Sequence, residues 1–160
     1  MSNLEMKVDA LMRFAVAPSG TDRERAKAEL FDLLDGKTPP APFDTHGAIL
    51  EALLELGVPD HLIGHPHLTH AIELVVEDPF RINDITKGLY PALAKDFNST
   101  PSRVERSIRH AIEVCWTRGD IDVLTEYFGN TVDPCKGKPT NSEFIARLAN
   151  VIRLKKRKAA

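Results

Sequence analysis

Apolar residues recur along this chain at intervals of three and four, the repeat of one helix face. No stretch alternates apolar and polar residues with β-branched enrichment. The spacing predicts an all-α protein. Leu4, Val8, Leu11, Met12 and Ala15 make one stripe of a helix over about 3–16, which stops at Pro18-Ser19-Gly20. A second begins at Thr21 or Asp22, whose short side chain can accept from the free N–H groups of the first turn, and ends near Leu34. Residues 37–43 then carry Pro39, Pro40 and Pro42, which remove backbone donors and fix φ, so this stretch reads as a linker.

Beyond the linker, Asp44 or Thr45 caps a helix that runs to about Leu56 and closes on Gly57-Val58-Pro59. The next spans His67 or Leu68 to Glu77. Asn83 or Asp84 opens a short helix, and Tyr90 to Phe97 continues into another. Asn98-Ser99-Thr100 is a tight turn, after which Pro101 at the first helical position starts the most strongly patterned helix, ending at Arg118-Gly119. Two more follow, about Ile121 to Phe128 and Asn141 to Lys155. Residues 1–36 are thus a two-helix N-terminal extension, 37–43 a linker, and 44–160 the main domain.

The length of 160 residues, 42% of them hydrophobic, fits one compact domain plus a short extension. No run of about 20 apolar residues or signal-type start is present, so no membrane insertion and a cytoplasmic location are expected. Cys115 and Cys135 are too few for a disulfide framework. The net charge of -2 conceals an asymmetry. Residues 1–43 carry net -1 and residues 44–100 net -6, whereas residues 101–160 hold twelve basic and seven acidic side chains, net +5. A basic C-terminal third is what a polyanion-binding surface needs.

Running into that third, Tyr90 to His110 has the layout of a helix-turn-helix: a short helix ending in an aromatic, a polar turn, then a capped basic helix. Val104, Ile108, Ala111, Ile112 and Cys115 give the second helix one apolar stripe for packing. Ser102, Arg106, Arg109 and Glu113 fall on another face, flanked by Arg103 and Glu105. A recognition helix needs both faces. Arginine can donate two bonds to guanine O6 and N7, and glutamate can accept from the cytosine amino group. The competing reading is a solvated helix whose arginines are absorbed in ion pairs with Glu105 and Glu113.

Ile85 to Thr100, with Ser102 to Val114 and Lys138 to Ala146, closely resembles the C-terminal DNA-binding effector domain of the sporulation stage zero A response regulators, over about Thr45 to Leu154. The resemblance implies a six-helix effector domain that binds double-stranded DNA in tandem copies and regulates sporulation-phase transcription. Glu105, Arg106 and Arg109 match the family's major-groove reading positions, with Ser102, Arg103 and His110 beside them on phosphates or in support. The basic tail matches loosely one that reaches the minor groove, which implicates Arg157 and Lys158. Gly119 to Lys138 resembles the region that contacts RNA polymerase sigma factor, with the greatest departures at Asp133-Pro134-Cys135. Response regulators of this type begin with a phosphorylated receiver domain of about 120 residues, and the 43 residues here are too few for that fold. The two N-terminal helices are expected to serve dimerisation or partner docking instead. The alternative is a receiver-less interaction protein that pairs with the full-length regulator or another transcription factor.

Other candidates carry less. His61, His65, His67 and His70 crowd together, but Pro66 interrupts any helix that would align them, and no cysteine or paired carboxylate lies near in sequence, so no metal is expected. Cys115 and Trp116 read as core. No nucleophile-base pair, carboxylate pair or cofactor loop emerges, and neither enzyme activity nor a cofactor is expected. In Lys136 to Thr140, Thr140 or Asn141 caps the last helix, whose N-terminus, with Lys138, can hold one DNA phosphate.

Overall fold

The computed structural model of the protein describes residues 2–16, 21–36, 41–129 and 137–160. The side chains expected to cap at Thr21 or Asp22, most of the proline linker, and Asp133-Pro134-Cys135 lie outside the described residues. Every element among the described residues is helical. Two compact units result, residues 1–42 and 43–160.

The first unit is a hairpin of α1 (Asn3–Val16) and α2 (Thr21–Leu34). Among the described residues, its buried apolar side chains are Ala10, Ala26 and Leu33. The small alanines let the helices approach closely, and Arg13 joins them by pairing with Asp9 on its own helix and with Glu29 at 3.4 Å on the other.

The second unit begins with α3 (Thr45–Glu55), capped by Asp44, whose carboxylate accepts from the Gly47 N–H at 2.9 Å. Gly57 ends it in the left-handed region at φ 78°, which allows the Val58 N–H to close back on the Leu53 carbonyl. α4 (Gly64–Glu77) is the central helix and packs on α3, α6 and α8. It starts a turn earlier than the spacing predicts. Pro66 falls in its first turn, where backbone N–H groups have no intrahelical acceptor, so Pro66 does not interrupt the helix, and His67 and His70 stand one turn apart on it.

Residues 79–96 differ more. A turn opens earlier than expected, at Asp78, whose carboxylate accepts from the Phe80 N–H at 3.1 Å; Asp84 precedes the next turn as expected, without a side-chain capping bond. A 3₁₀ turn over Pro79–Asp84 and a π turn over Ile85–Leu89 then lead without a break into α5 (Tyr90–Asp96). α6 (Pro101–Arg118), α7 (Ile121–Phe128) and α8 (Asn141–Ala159) complete the unit. α8 continues four residues past the expected end at Lys155, because Lys, Arg and Ala are all strong helix formers.

One apolar core joins these helices, with Leu53, Ile72, Ile108, Ile112, Phe144 and Leu148 fully buried. Phe128 stacks on Phe144 with ring centres 5.1 Å apart and meets the half-buried Trp116 edge-on at 5.3 Å. Cys115 is core as expected. Its Sγ donates to the Leu56 carbonyl at 3.2 Å, and burial pushes its pKa up to about 12, so the thiol is unreactive at neutral pH.

Candidate nucleic-acid interface

The turn between α5 and α6 is fixed by backbone bonds. Asn98 sits at φ 50°, a left-handed conformation that asparagine tolerates better than most residues. Its N–H donates to Lys95 C=O at 3.3 Å and the Ser99 N–H to Ala94 C=O at 2.8 Å, which satisfies the free carbonyls at the end of α5. Thr100 then caps α6 by accepting from the Arg103 N–H at 3.3 Å, with Pro101 at the first helical position. The chain leaves one helix and enters the next with its terminal groups partnered. That fixes their angle.

α6 is held on its inner side. Val104, Ile108, Ala111, Ile112 and Cys115, the stripe expected from the spacing, are all buried. Deleting the side chain of one of the larger members, Ile108 or Ile112, should cost about 2–5 kcal/mol. Gly64 of α4 lies so close that a Cβ there would sit 2.0 Å from the Ser107 carbonyl oxygen. The Ser107 hydroxyl donates to Val104 C=O at 2.8 Å, so His67 must donate to Ser107 Oγ through Nδ1, 2.6 Å away. Burial lowers the His67 pKa and keeps that ring neutral. From the other flank, Asn141 at the start of α8 donates to the Glu105 carbonyl at 3.2 Å and to Tyr90 Oη at 3.0 Å. One side chain ties α5, α6 and α8 together.

A second polar cluster supports α5. His70 bonds through Nδ1 to Glu73 at 3.0 Å and through Nε2 to Asp96 at 2.9 Å, and His46 of α3 also pairs with Glu73. Burial opposes the His70 charge, but the two carboxylates outweigh it and raise its pKa. Phe97 lies edge-on to the His67 ring at 4.6 Å. Two of the four histidines that invited a metal reading, His67 and His70, therefore brace the helix-turn-helix. No group of three or more His, Cys, Asp or Glu side chains with metal-binding geometry occurs among the described residues.

The outer side of α6 is open. Ser102, Arg103, Arg106, Arg109 and His110 are exposed, and Glu105 is half-buried. Arg109 pairs with Glu105 at 3.4 Å. Arg103 and Arg106 make no ion pair with the described residues, so the reading in which intrahelical pairs absorb the arginines holds for Arg109 alone. Lys138, three residues before α8, pairs with Glu113 of α6 and holds that carboxyl below its usual range. Lys138 thus joins the basic face. Thr140, rather than Asn141, caps α8, in a reciprocal box with Glu143: the Glu143 N–H donates to Thr140 Oγ1 at 3.2 Å and the Thr140 N–H to Glu143 Oε2 at 2.8 Å. Arg157 and Lys158 are exposed on the last turn of α8, ~24 Å along its axis from Asn141 at 1.5 Å per residue. They are not brought to the Arg106 cluster.

Sequence reasoning missed Gly64, the His67–Ser107 bond and the Asn141 clamp. Each joins residues far apart in the chain, and none leaves a periodic signal.

Residues 49–152 match the family described as sporulation initiation factor Spo0A, C terminal. The chain belongs to this family. The matched span runs from within α3 to within α8 and contains the whole helix-turn-helix. Membership in the Spo0A C-terminal family makes residues 49–152 a DNA-binding effector domain of transcription regulation in sporulation, and the all-helical fold agrees with it. Among the described residues, no helix is long and apolar enough to cross a membrane.

Proposed function

We propose that the protein is a sequence-specific regulator of transcription that lays α6 in the major groove of double-stranded DNA. Arg106 and Arg109 read guanine, and Glu105 orients Arg109 or accepts from cytosine. Ser102, Arg103, His110 and Lys138 hold phosphates along the groove edges. Arg157 and Lys158, one helix length away, reach backbone or minor groove at the end of the site. The observation that carries this reading is a pair of exposed arginines, Arg103 and Arg106, with no ion pair to any described residue, on a helix whose opposite side is locked into the core. The rigid helix removes backbone ordering from the cost of binding, and these guanidiniums have no ion pair to a described residue to break first. The protein acts in the cytoplasm, on the chromosome.

Contact with RNA polymerase sigma factor, where the regulator activates, would fall on α7, whose Ile121, Asp122, Thr125 and Glu126 are exposed. A second reading, pairing with the full-length regulator in place of DNA binding, draws on the apolar side of the α1–α2 hairpin.

Selection of bound sequences from a random DNA pool by the full chain tests the first reading. Enrichment of a short guanine-containing box, with affinity falling steeply as salt rises, is expected because phosphate contacts release counterions. Recovery of no consensus at any salt concentration would favour the pairing reading.

A further inference from the structure

We infer that the α1–α2 hairpin is a homodimerisation unit, in which two copies meet face to face through Leu4, Val8, Leu11, Met12, Phe31 and Leu34 to complete a four-helix bundle. At about 100° per residue, the four α1 side chains lie about 100–200° around the helix from Ala10, and Phe31 and Leu34 about 80–140° around α2 from Ala26. Because the hairpin is antiparallel, the same sense of rotation turns both stripes onto one side. The opposite side carries the Asp9–Arg13–Glu29 pairs, with Arg25 and Asp32 beside them. The hairpin therefore has one charged face and one apolar face.

The apolar face is uncovered. Its six side chains are each half or more exposed, Leu4 at 71% and Met12 at 65% among them. At ~180 Å² for a fully exposed side chain of this size they present on the order of 600 Å². Two such faces together bury ~1,200 Å², the lower bound of a stable specific interface. A unit of 42 residues whose buried apolar side chains, among the described residues, are Ala10, Ala26 and Leu33 lies close to the size of about 40 residues below which a core rarely sustains itself, and oligomerisation is a usual remedy. A second copy fits better than a strongly charged partner. Residues 1–43 hold six basic and seven acidic side chains, so no strong field selects or repels, and a two-helix apolar face is half of a bundle with two-fold symmetry.

The test is the mass of the full chain in sedimentation velocity without DNA, across a wide concentration range. The expected species has twice the 17.8 kDa chain mass. The Leu11→Glu/Phe31→Glu double variant should be monomeric with its effector-domain melting unchanged. Leu11→Ala, which keeps helix propensity, should raise the dissociation constant about tenfold or more. A wild-type monomer at every concentration overturns the inference, whether the face then covers its own effector domain or meets another protein. A dimer that survives the glutamate pair also overturns it, by placing the contact elsewhere. Since no DNA is present, these outcomes are independent of the reading of α6.

Discussion

Adding one methyl group at Gly64 should loosen α6. The Cβ of Gly64→Ala would sit 2.0 Å from the Ser107 carbonyl oxygen, 2.7 Å from its carbon and 3.0 Å from the Ala111 methyl, where ordinary contact begins at 3.4 Å. The obstacle is backbone within α6, not a side chain that can swing away. α4 and α6 must part by more than about 1 Å, thinning the packing of Leu68 and Ala71 against Val104, Ile108 and Ala111. Overpacking against backbone belongs at or above the upper end of the usual range, about 3 kcal/mol, and the helix propensity gained by alanine returns about 0.5–1 kcal/mol, leaving a loss of roughly 2–3 kcal/mol. For a domain of this size the melting midpoint should fall by roughly 8–12 °C. Urea titration followed by far-UV circular dichroism measures the loss directly. Gly88→Ala is the control, because its Cβ would meet only the Asp84 side chain, at 3.2 Å. The control should stay within about 0.5 kcal/mol of wild type. A Gly64→Ala protein as stable as the control would refute the close approach of α4 to α6.

Asn141→Ala removes the bonds to Tyr90 and Glu105 and should cost about 1–2 kcal/mol in urea unfolding. Combined with Tyr90→Phe, it should cost less than the sum of the two single changes, and strict additivity would show that the two side chains do not interact. The His70–Glu73–Asp96 cluster should make stability depend on pH. The His70 pKa is raised in the folded state, so its contribution is complete below the unfolded value of 6.5 and is lost as pH rises through the folded value. Glu73, whose charge burial opposes but His70 and His46 favour, has a lowered pKa and loses its contribution only as pH falls through that value. Burial lowers His65 and His67, which act in the opposite direction, so the quantity to follow is the stability of wild type minus that of His70→Gln. It should shrink as pH rises above 6.5, and a difference independent of pH would remove His70 from the bracing role.

The recognition helix was legible because local chemistry specifies it. Thr100-Pro101 and Gly119 mark its ends, and its apolar stripe is a simple periodicity whose five members are all buried. The short helical segment after Asp84 follows the spacing, but the 3₁₀ turn over Pro79–Asp84 ahead of it does not, because a 3₁₀ turn passing into a π turn has no single period and Asp78 caps it from a position that looks like the end of α4. Pro66 was read as a breaker where it is a first-turn residue. Which residues face outward from α6 followed from spacing, but which of those arginines are free did not. That depends on rotamers, and on Lys138 reaching Glu113 from 25 residues away. The His67–Ser107 and Tyr127–Glu55 bonds span 40 and 72 residues, distances over which a single sequence carries no pairing signal.

The central claim is that α6 reads bases through Arg106 and holds phosphates through its neighbours. Fluorescence anisotropy of the full chain on the selected box and on a scrambled box, for wild type, Arg106→Ala and Lys158→Ala, tests it most directly. Arg106→Ala should lose about 1–3 kcal/mol of preference for the box, whereas Lys158→Ala should weaken both DNAs alike and reduce the salt slope by about one. Unchanged discrimination in Arg106→Ala, with both boxes bound as by wild type, would contradict the account.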